Sequence, residues 1–291
     1  MFAGTFTALV TPFKNDLVDE DAFAALIEAQ IAAGITGIIP VGTTGESPTL
    51  NDAEHRRVIE LGVQFAKGRC KVIGGTGSNS TSEAVAMTVE AEKLGCDGAL
   101  LIAPYYNKPS QEGLYHHFAK IAKATKLPLI LYSIPGRCGI EIGAEVTARL
   151  AKAFPNIVAM KEAGGTVERV SALRAVVPES FTILSGDDSL TLPFMAAGAV
   201  GVISVASNIV PAEVVALVKA ALKGDYVKAR ELHFKLYPLF KDLFIEPNPV
   251  PIKFALAAQG RMLADVRLPL WEMGPAKAGR LTATLRALGL L

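Results

Sequence analysis

Three times along this chain a helix-like stretch runs into a glycine, and three residues later a second glycine opens an unbroken aliphatic run. Ala33-Gly34-Ile35-Thr36-Gly37 precedes Ile38-Ile39-Pro40-Val41. Leu94-Gly95-Cys96-Asp97-Gly98 precedes Ala99-Leu100-Leu101-Ile102, and Ala197-Gly198-Ala199-Val200-Gly201 precedes Val202-Ile203-Ser204-Val205. A glycine at the end of a helix adopts the left-handed conformation that closes it. A strand that is apolar at every position is buried on both faces, and such strands alternating with amphipathic helices make a parallel sheet covered on both sides.

Counting on this basis predicts strands at residues 5–10, 37–41, 71–74, 99–102, 129–132, 157–161, 182–185 and 201–204. Helical patterns separate them at 21–33, 52–66, 82–94, 111–124, 143–153, 167–176, 189–197 and 212–222. Eight strand–helix units in order predict an α/β fold, a closed (β/α)₈ TIM barrel rather than an open sheet. Three further helical patterns at 226–243, 249–259 and 275–288 predict a C-terminal three-helix appendage. The expected division is a catalytic barrel over residues 1–224 and a helical domain over 225–291.

Hydrophobic residues make up 51% of the 291 and charged ones 20%, which suits a large core and excludes a disordered chain. A formal net charge of +1 favours neither nucleic acid nor an anionic membrane. Residues 189–212 carry no charge, but Pro193, Gly198, Gly201, Asn208 and Pro211 interrupt them, so they read as buried helix, turn and strand rather than a span. Cys70, Cys96 and Cys138 are odd in number and widely spaced, which argues for a reducing compartment and against a disulfide framework or zinc site. The start of the chain lacks the basic stretch of a signal peptide, and the cytoplasm is the expected location.

Barrel enzymes carry their chemistry at the carboxyl ends of the strands. One such end is Ile157-Val158-Ala159-Met160-Lys161-Glu162-Ala163-Gly164-Gly165. Neighbours on a strand point to opposite faces, so Lys161 and Glu162 diverge. If Lys161 points into the closed sheet, burial favours its neutral amine. Moving it from ~10.4 to ~7–8 costs roughly 4 kcal/mol, and the neutral amine can then condense with a ketone as a Schiff base. A lysine that snorkels to solvent or pairs with a carboxylate fits the stretch as well.

Other rim residues are open in the same way. Gly42-Thr43-Thr44-Gly45 sets backbone N–H groups and two hydroxyls in a tight turn, either a small-anion cradle or an ordinary capped glycine turn. Tyr105, Tyr106 and Tyr132 are lid and core phenols or proton relays. Arg137, after Ile134-Pro135-Gly136, is a solvated loop cation or a bidentate clamp on a carboxylate. Adjacent His116 and His117 diverge on a helix and Glu54-His55 lacks metalloprotease spacing, so no metal is expected. No Gly-x-Ser-x-Gly elbow for serine chemistry occurs.

Taken in order, Gly42-Thr43-Thr44-Gly45-Glu46, Pro104-Tyr105-Tyr106-Asn107, Tyr132-Ser133-Ile134-Pro135-Gly136-Arg137 and Lys161-Glu162-Ala163 resemble the dihydrodipicolinate synthases (4-hydroxy-tetrahydrodipicolinate synthases). With Ser185-Gly186-Asp187-Asp188 and Glu246-Pro247-Asn248-Pro249 the resemblance covers essentially the whole chain. It implies a lyase-type condensation of pyruvate with L-aspartate 4-semialdehyde, the committed step toward diaminopimelate and lysine, with no cofactor or metal. It further implies Lys161 as the imine-forming residue, with Thr43, Tyr132 and Tyr106 as a proton relay and Tyr106 lent by a neighbouring subunit. By the same analogy Thr44 holds the pyruvate carboxylate, Arg137 holds that of the semialdehyde, and Gly186 and Ile203 line the pocket. A homotetramer (dimer of dimers) or a dimer is expected. Positions matching a lysine effector cleft are Ser47, His55, Asn79, Glu83 and Tyr105, and feedback inhibition by lysine is expected.

The alternatives on the same barrel are N-acetylneuraminate lyase and the 2-keto-3-deoxygluconate aldolases, which take sugar-like chains. Thr43-Thr44 and Arg137 weigh against them. A keto-acid-binding regulator on a dead barrel would have lost the lysine or a relay hydroxyl, and neither is lost. Ser133, Cys138 and Gly164 depart from the family's usual asparagine, threonine, and threonine or serine. The chemistry requires none of the three.

Overall fold

The aliphatic runs are strands because each has one face toward a shared interior and the other toward a helix. The computed structural model describes residues 2–291. Its strands are β1 (Gly4–Ala8), β2 (Gly37–Ile39), β3 (Lys71–Gly75), β4 (Gly98–Ile102), β5 (Leu129–Ser133), β6 (Ile157–Glu162), β7 (Thr182–Ser185) and β8 (Gly201–Ser204). All pair in parallel with their sequence neighbours, and β8 closes on β1 through Gly4↔Gly201 and Phe6↔Ile203. The (β/α)₈ barrel expected from the spacing is what the chain forms.

Side-chain parity sorts into two cores. Phe6, Ala8, Ile39, Ile73, Leu100 and Ile130 are among those filling the interior. Their strand neighbours, such as Ile38, Val72, Leu101, Leu131, Met160 and Ile183, pack outward under the helices. At about 25 cal/mol per Å² of apolar area, this two-sided burial is the main stabilising term.

The recurrent glycines do two different jobs. Gly34, Gly95 and Gly198 have φ of +75°, +88° and +106°, the left-handed closure expected of helix ends. The second glycines make room. A Cβ on Gly37 would lie 2.8 Å from the Phe6 ring, and one on Gly98 would lie 2.9 Å from Phe2. Phe2 and Phe6 meet edge to face at 5.9 Å and plug the amino-terminal end of the barrel.

The barrel helices are α1 (Glu20–Ala32), α2 (Asp52–Ala66), α3 (Thr81–Lys93), α4 (Gln111–Ala124), α5 (Ala144–Ala153), α6 (Val167–Arg174), α7 (Thr191–Ala196) and α8 (Pro211–Leu222). Helix α2 starts with a capping box, in which Asn51 accepts from the Glu54 N–H and Glu54 accepts from the Asn51 N–H. Three more helices follow: α9 (Tyr226–Asp242), α10 (Val250–Ala258) and α11 (Pro275–Ala287). Among the described residues no helix is long and apolar enough to cross a membrane, and 189–212 divide into short helical segments and β8.

Two features differ from the sequence expectation. A two-stranded hairpin, Phe13–Lys14 with Leu17–Val18, lies between β1 and α1. The loop expected after β5 is instead a helical turn, Pro135–Cys138, begun by a proline whose missing N–H costs nothing at that position.

Candidate active site

Closing the ring decides where Lys161 points. It follows Ala159 by two residues on β6, shares that residue's inward parity and is 5% exposed. Its register partner on β5 is Tyr132, and the ammonium nitrogen lies 4.1 Å from the centre of that ring. Burial pushes the Lys161 amine down to about 7; the Asp188 carboxylate opposes that shift and Arg137 adds to it. The snorkelling alternative is therefore excluded: the amine is enclosed, and much of it is neutral at neutral pH.

Glu162, as the alternation requires, turns the other way. It is fully buried outside the barrel wall, where Arg169 donates to its Oε2 at 3.1 Å and the Gly164 N–H donates to its Oε1 at 2.6 Å. Burial raises its pKa while Arg169 opposes. A Cβ on Gly164 would sit 2.6 Å from that same Oε1, so a larger residue here would require the Glu162 carboxylate to shift.

Tyr132 is 4% exposed, and burial raises its phenol, with Arg137 and the Thr43 side chain working the other way. Such a phenol stays protonated and is a proton donor at neutral pH. Gly186 leaves space for the amine: a Cβ there would lie 2.8 Å from Ala163 Cβ and 3.2 Å from Lys161 Cε. Ile203, on β8, is fully buried in the barrel interior.

The turn after β2 is a short 3-10 segment, Thr43–Gly45, preceded by Gly42. The N–H groups of Gly45 and Glu46 return to the carbonyls of Gly42 and Thr43. The first N–H groups of the turn, those of Thr43 and Thr44, are left at its open end. Thr44 is buried and its hydroxyl accepts from Asn248 Nδ2 at 3.0 Å, so its own proton is directed elsewhere. Arg137 is exposed and donates to the Asn248 carbonyl at 3.2 Å.

One cavity of about 320 Å³ runs from Tyr132, Thr43 and Arg137 outward to Ser47, His55 and Glu83. Tyr105 also lines it; Asn79 does not, but donates to the Tyr105 carbonyl at 3.1 Å. His55 Nε2 is 3.0 Å from the Gly75 carbonyl. A carbonyl only accepts, so that nitrogen carries the proton and Nδ1 is left as an acceptor. Burial lowers the His55 pKa and keeps the ring neutral. Glu83 accepts from the Ser78 hydroxyl at 2.9 Å.

Lys161, Tyr132, Thr43, Thr44, Arg137, Gly186 and Ile203 thus gather at the carboxyl end of the barrel. Tyr106 does not join them. It is 90% exposed with φ of +71°, whereas the amine of Lys161 is enclosed.

Asn248 and Asp188 lie in the ordered motif segments, but the sequence alone points to no task for either. Asn248 links Thr44 to Arg137. Asp188 is buried, accepts from the Ser204 hydroxyl and from the N–H groups of Val205 and Ala206, and has its pKa raised to about 6 by burial. Their only signal was membership of an ordered motif.

The chain matches the Dihydrodipicolinate synthetase family over residues 1–288. It belongs to that family. A 4-hydroxy-tetrahydrodipicolinate synthase from Endomicrobium trichonymphae is 50% identical over 291 residues, covering all of both chains. Among solved structures, the 4-hydroxy-tetrahydrodipicolinate synthase of Methylacidiphilum fumariolicum SolV superposes with a TM-score of 0.99 at 52% identity, covering 99% of this chain and 96% of that one. A DHDPS from Cyanidioschyzon merolae with lysine bound gives 0.97 at 41% identity, covering 100% and 99%.

Proposed function

We infer that this protein condenses pyruvate with L-aspartate 4-semialdehyde to give 4-hydroxy-tetrahydrodipicolinate, on the route to diaminopimelate and lysine. The observation that carries the reading is the enclosed Lys161 amine, held at about 7 beside Tyr132 in a barrel of this family.

The neutral amine attacks the keto carbon of pyruvate. The carbinolamine loses water and leaves a protonated imine. That imine is an electron sink, so the methyl group gives up a proton and becomes an enamine. The enamine carbon bonds to the aldehyde carbon of the second substrate. The semialdehyde's own amine then adds to the imine carbon and displaces Lys161 as the ring closes.

Tyr132, Thr43 and Tyr106 pass the protons, Tyr106 coming from a second copy of the chain. Its exposure in a single chain supports that role. The open N–H groups of the Thr43–Gly45 turn and the Thr44 hydroxyl hold the pyruvate carboxylate. Arg137 clamps that of the semialdehyde, while Gly186 and Ile203 shape the pocket.

Lysine is the effector in this reading. Its ammonium groups meet Glu83 and the free His55 Nδ1 in the outer part of the cavity, with Ser47, Asn79 and Tyr105 around them. The same reading takes the protein as a cytoplasmic homotetramer (dimer of dimers) or dimer, with residues 1–224 as the catalytic unit and 225–291 as the helical one.

Borohydride reduction in the presence of pyruvate tests the reading. Mass spectrometry should find the reduced adduct on Lys161. An unmodified Lys161 would overturn it, as would a catalytic preference for sialic acid or keto-deoxygluconate over aspartate semialdehyde and pyruvate.

A further inference from the structure

Lys253, on α10, and Glu46, which ends the turn after β2, are 207 residues apart in sequence and both fully buried. Lys253 Nζ donates to Glu46 Oε1 at 2.5 Å, and the Arg267 backbone N–H donates to Oε2 at 3.0 Å. Both carboxylate oxygens are therefore held by the C-terminal segment. Lys253 also sits 4.2 Å above the Phe13 ring, and the Arg267 guanidinium lies 4.3 Å from the same ring.

Stability alone is a weak reason for such a pair. Taking two charges out of water is costly, and an apolar pair of similar volume is often no less stable. What a charged pair supplies is direction. Glu46 has φ of +56°, a left-handed conformation disfavoured for a residue with a Cβ. Its N–H closes the turn on the Thr43 carbonyl at 3.1 Å. From the other side Thr11 donates to the Gly45 carbonyl at 2.7 Å. The turn that presents the Thr43 and Thr44 N–H groups is thus anchored at Gly45 by Thr11, in the segment that follows β1, and at Glu46 by Lys253 on α10.

We propose that the buried Lys253–Glu46 ion pair is a positioning element for the Thr43–Gly45 turn, so that a C-terminal helix sets the affinity for the carboxylate of the keto acid. The pair touches no substrate. It acts through Glu46, whose anchored carboxylate fixes the backbone two residues beyond Thr44. This inference rests on the condensation reading and on the carboxylate being held by that turn.

Three variants test it. Glu46→Gln keeps the volume and one acceptor, and the double Lys253→Met, Glu46→Gln removes both charges together, the change a buried pair tolerates best. The readouts are the thermal midpoint, the pyruvate concentration giving half-maximal borohydride trapping at Lys161, and kcat and KM for both substrates. The expected result is a folded double variant whose half-saturation by pyruvate rises roughly tenfold, the scale of a small misplacement of binding groups. The extent of trapping at saturating pyruvate should stay within about twofold of the parent protein, since the site is then full whatever the affinity. Lys253→Arg, which keeps the charge, should fall between the parent protein and the double variant. Wild-type half-saturation in either folded variant would overturn the inference while leaving the condensation reading intact. Absence of a pyruvate adduct on the parent protein would overturn both.

Discussion

Lys161 and Tyr132 are register partners on adjacent parallel strands, and the amine of one lies 4.1 Å from the ring centre of the other. The aromatic face offers a cation some attraction. Burial outweighs it and brings the amine down to about 7. The sign follows directly. An unfolded lysine titrates near ~10.4, so between about 7 and ~10.4 the unfolded chain binds the extra proton. Folding stability gains as pH rises through that window, and the charge-burial penalty of about 5 kcal/mol is complete below it. For imine formation the amine must be neutral. The rate of pyruvate trapping should therefore fall about tenfold per pH unit below a midpoint near 7. A flat profile from pH 5 to 9 would contradict this.

Replacing the phenol separates packing from proton transfer. Tyr132→Phe keeps the ring against Lys161 but removes a hydroxyl that burial holds protonated. The expected outcome is a fall in kcat of about 10²–10⁴, the usual range for a general acid–base group, with the thermal midpoint little changed. Steady-state kinetics beside a melting curve decide it.

Behind the wall, Arg169 stands against fully buried Glu162. Arg169→Met leaves that carboxylate without its cation. Breaking a buried pair on one side costs about 3–5 kcal/mol, so the urea midpoint should drop correspondingly. Lowering the pH should lessen the loss, because protonation removes the unpaired charge. A variant as stable as the parent at pH 7 would show that the pair is solvated.

Tyr106, 90% exposed in a single chain, should act across an interface. Each of Tyr106→Phe and Lys161→Ala should be nearly inactive alone. Mixed and allowed to exchange subunits, they should recover activity, because some sites then combine an intact lysine with an intact tyrosine. No recovery after exchange would mean that sites are self-contained.

The cavity joining Tyr132 to Glu83 and His55 makes a last expectation. Millimolar lysine should inhibit the parent protein, and Glu83→Ala should raise the inhibiting concentration at least about tenfold, the scale of one lost charge-assisted contact. Initial rates across a lysine series test this directly.

Much of the barrel was legible in the chain because its signals are local. Gly34, Gly95 and Gly198 mark helix ends through one residue's φ, and an aliphatic run such as Ala99-Leu100-Leu101-Ile102 needs only its own composition to read as a buried strand. The hairpin at residues 13–18 was not, since two-residue strands are too short to show a period. Its Asn15-Asp16 turn, with φ of +53° and +61°, is a faint signal that gained force only beside Phe13 and Val18.

The site divides in the same way. Opposite directions for Lys161 and Glu162 follow from strand geometry, and the order of the motifs pointed to the chemistry. Which of the two faces is the interior depended on where eight strands close, because parity is relative until the ring exists. The enclosed amine, the room left by Gly186 and the grip of Asn248, Lys253 and Arg267 on the Thr44–Glu46 turn belong to that closure. The last of these joins residues some 200 positions apart through burial and directed hydrogen bonds, and no local stretch of sequence carries that information.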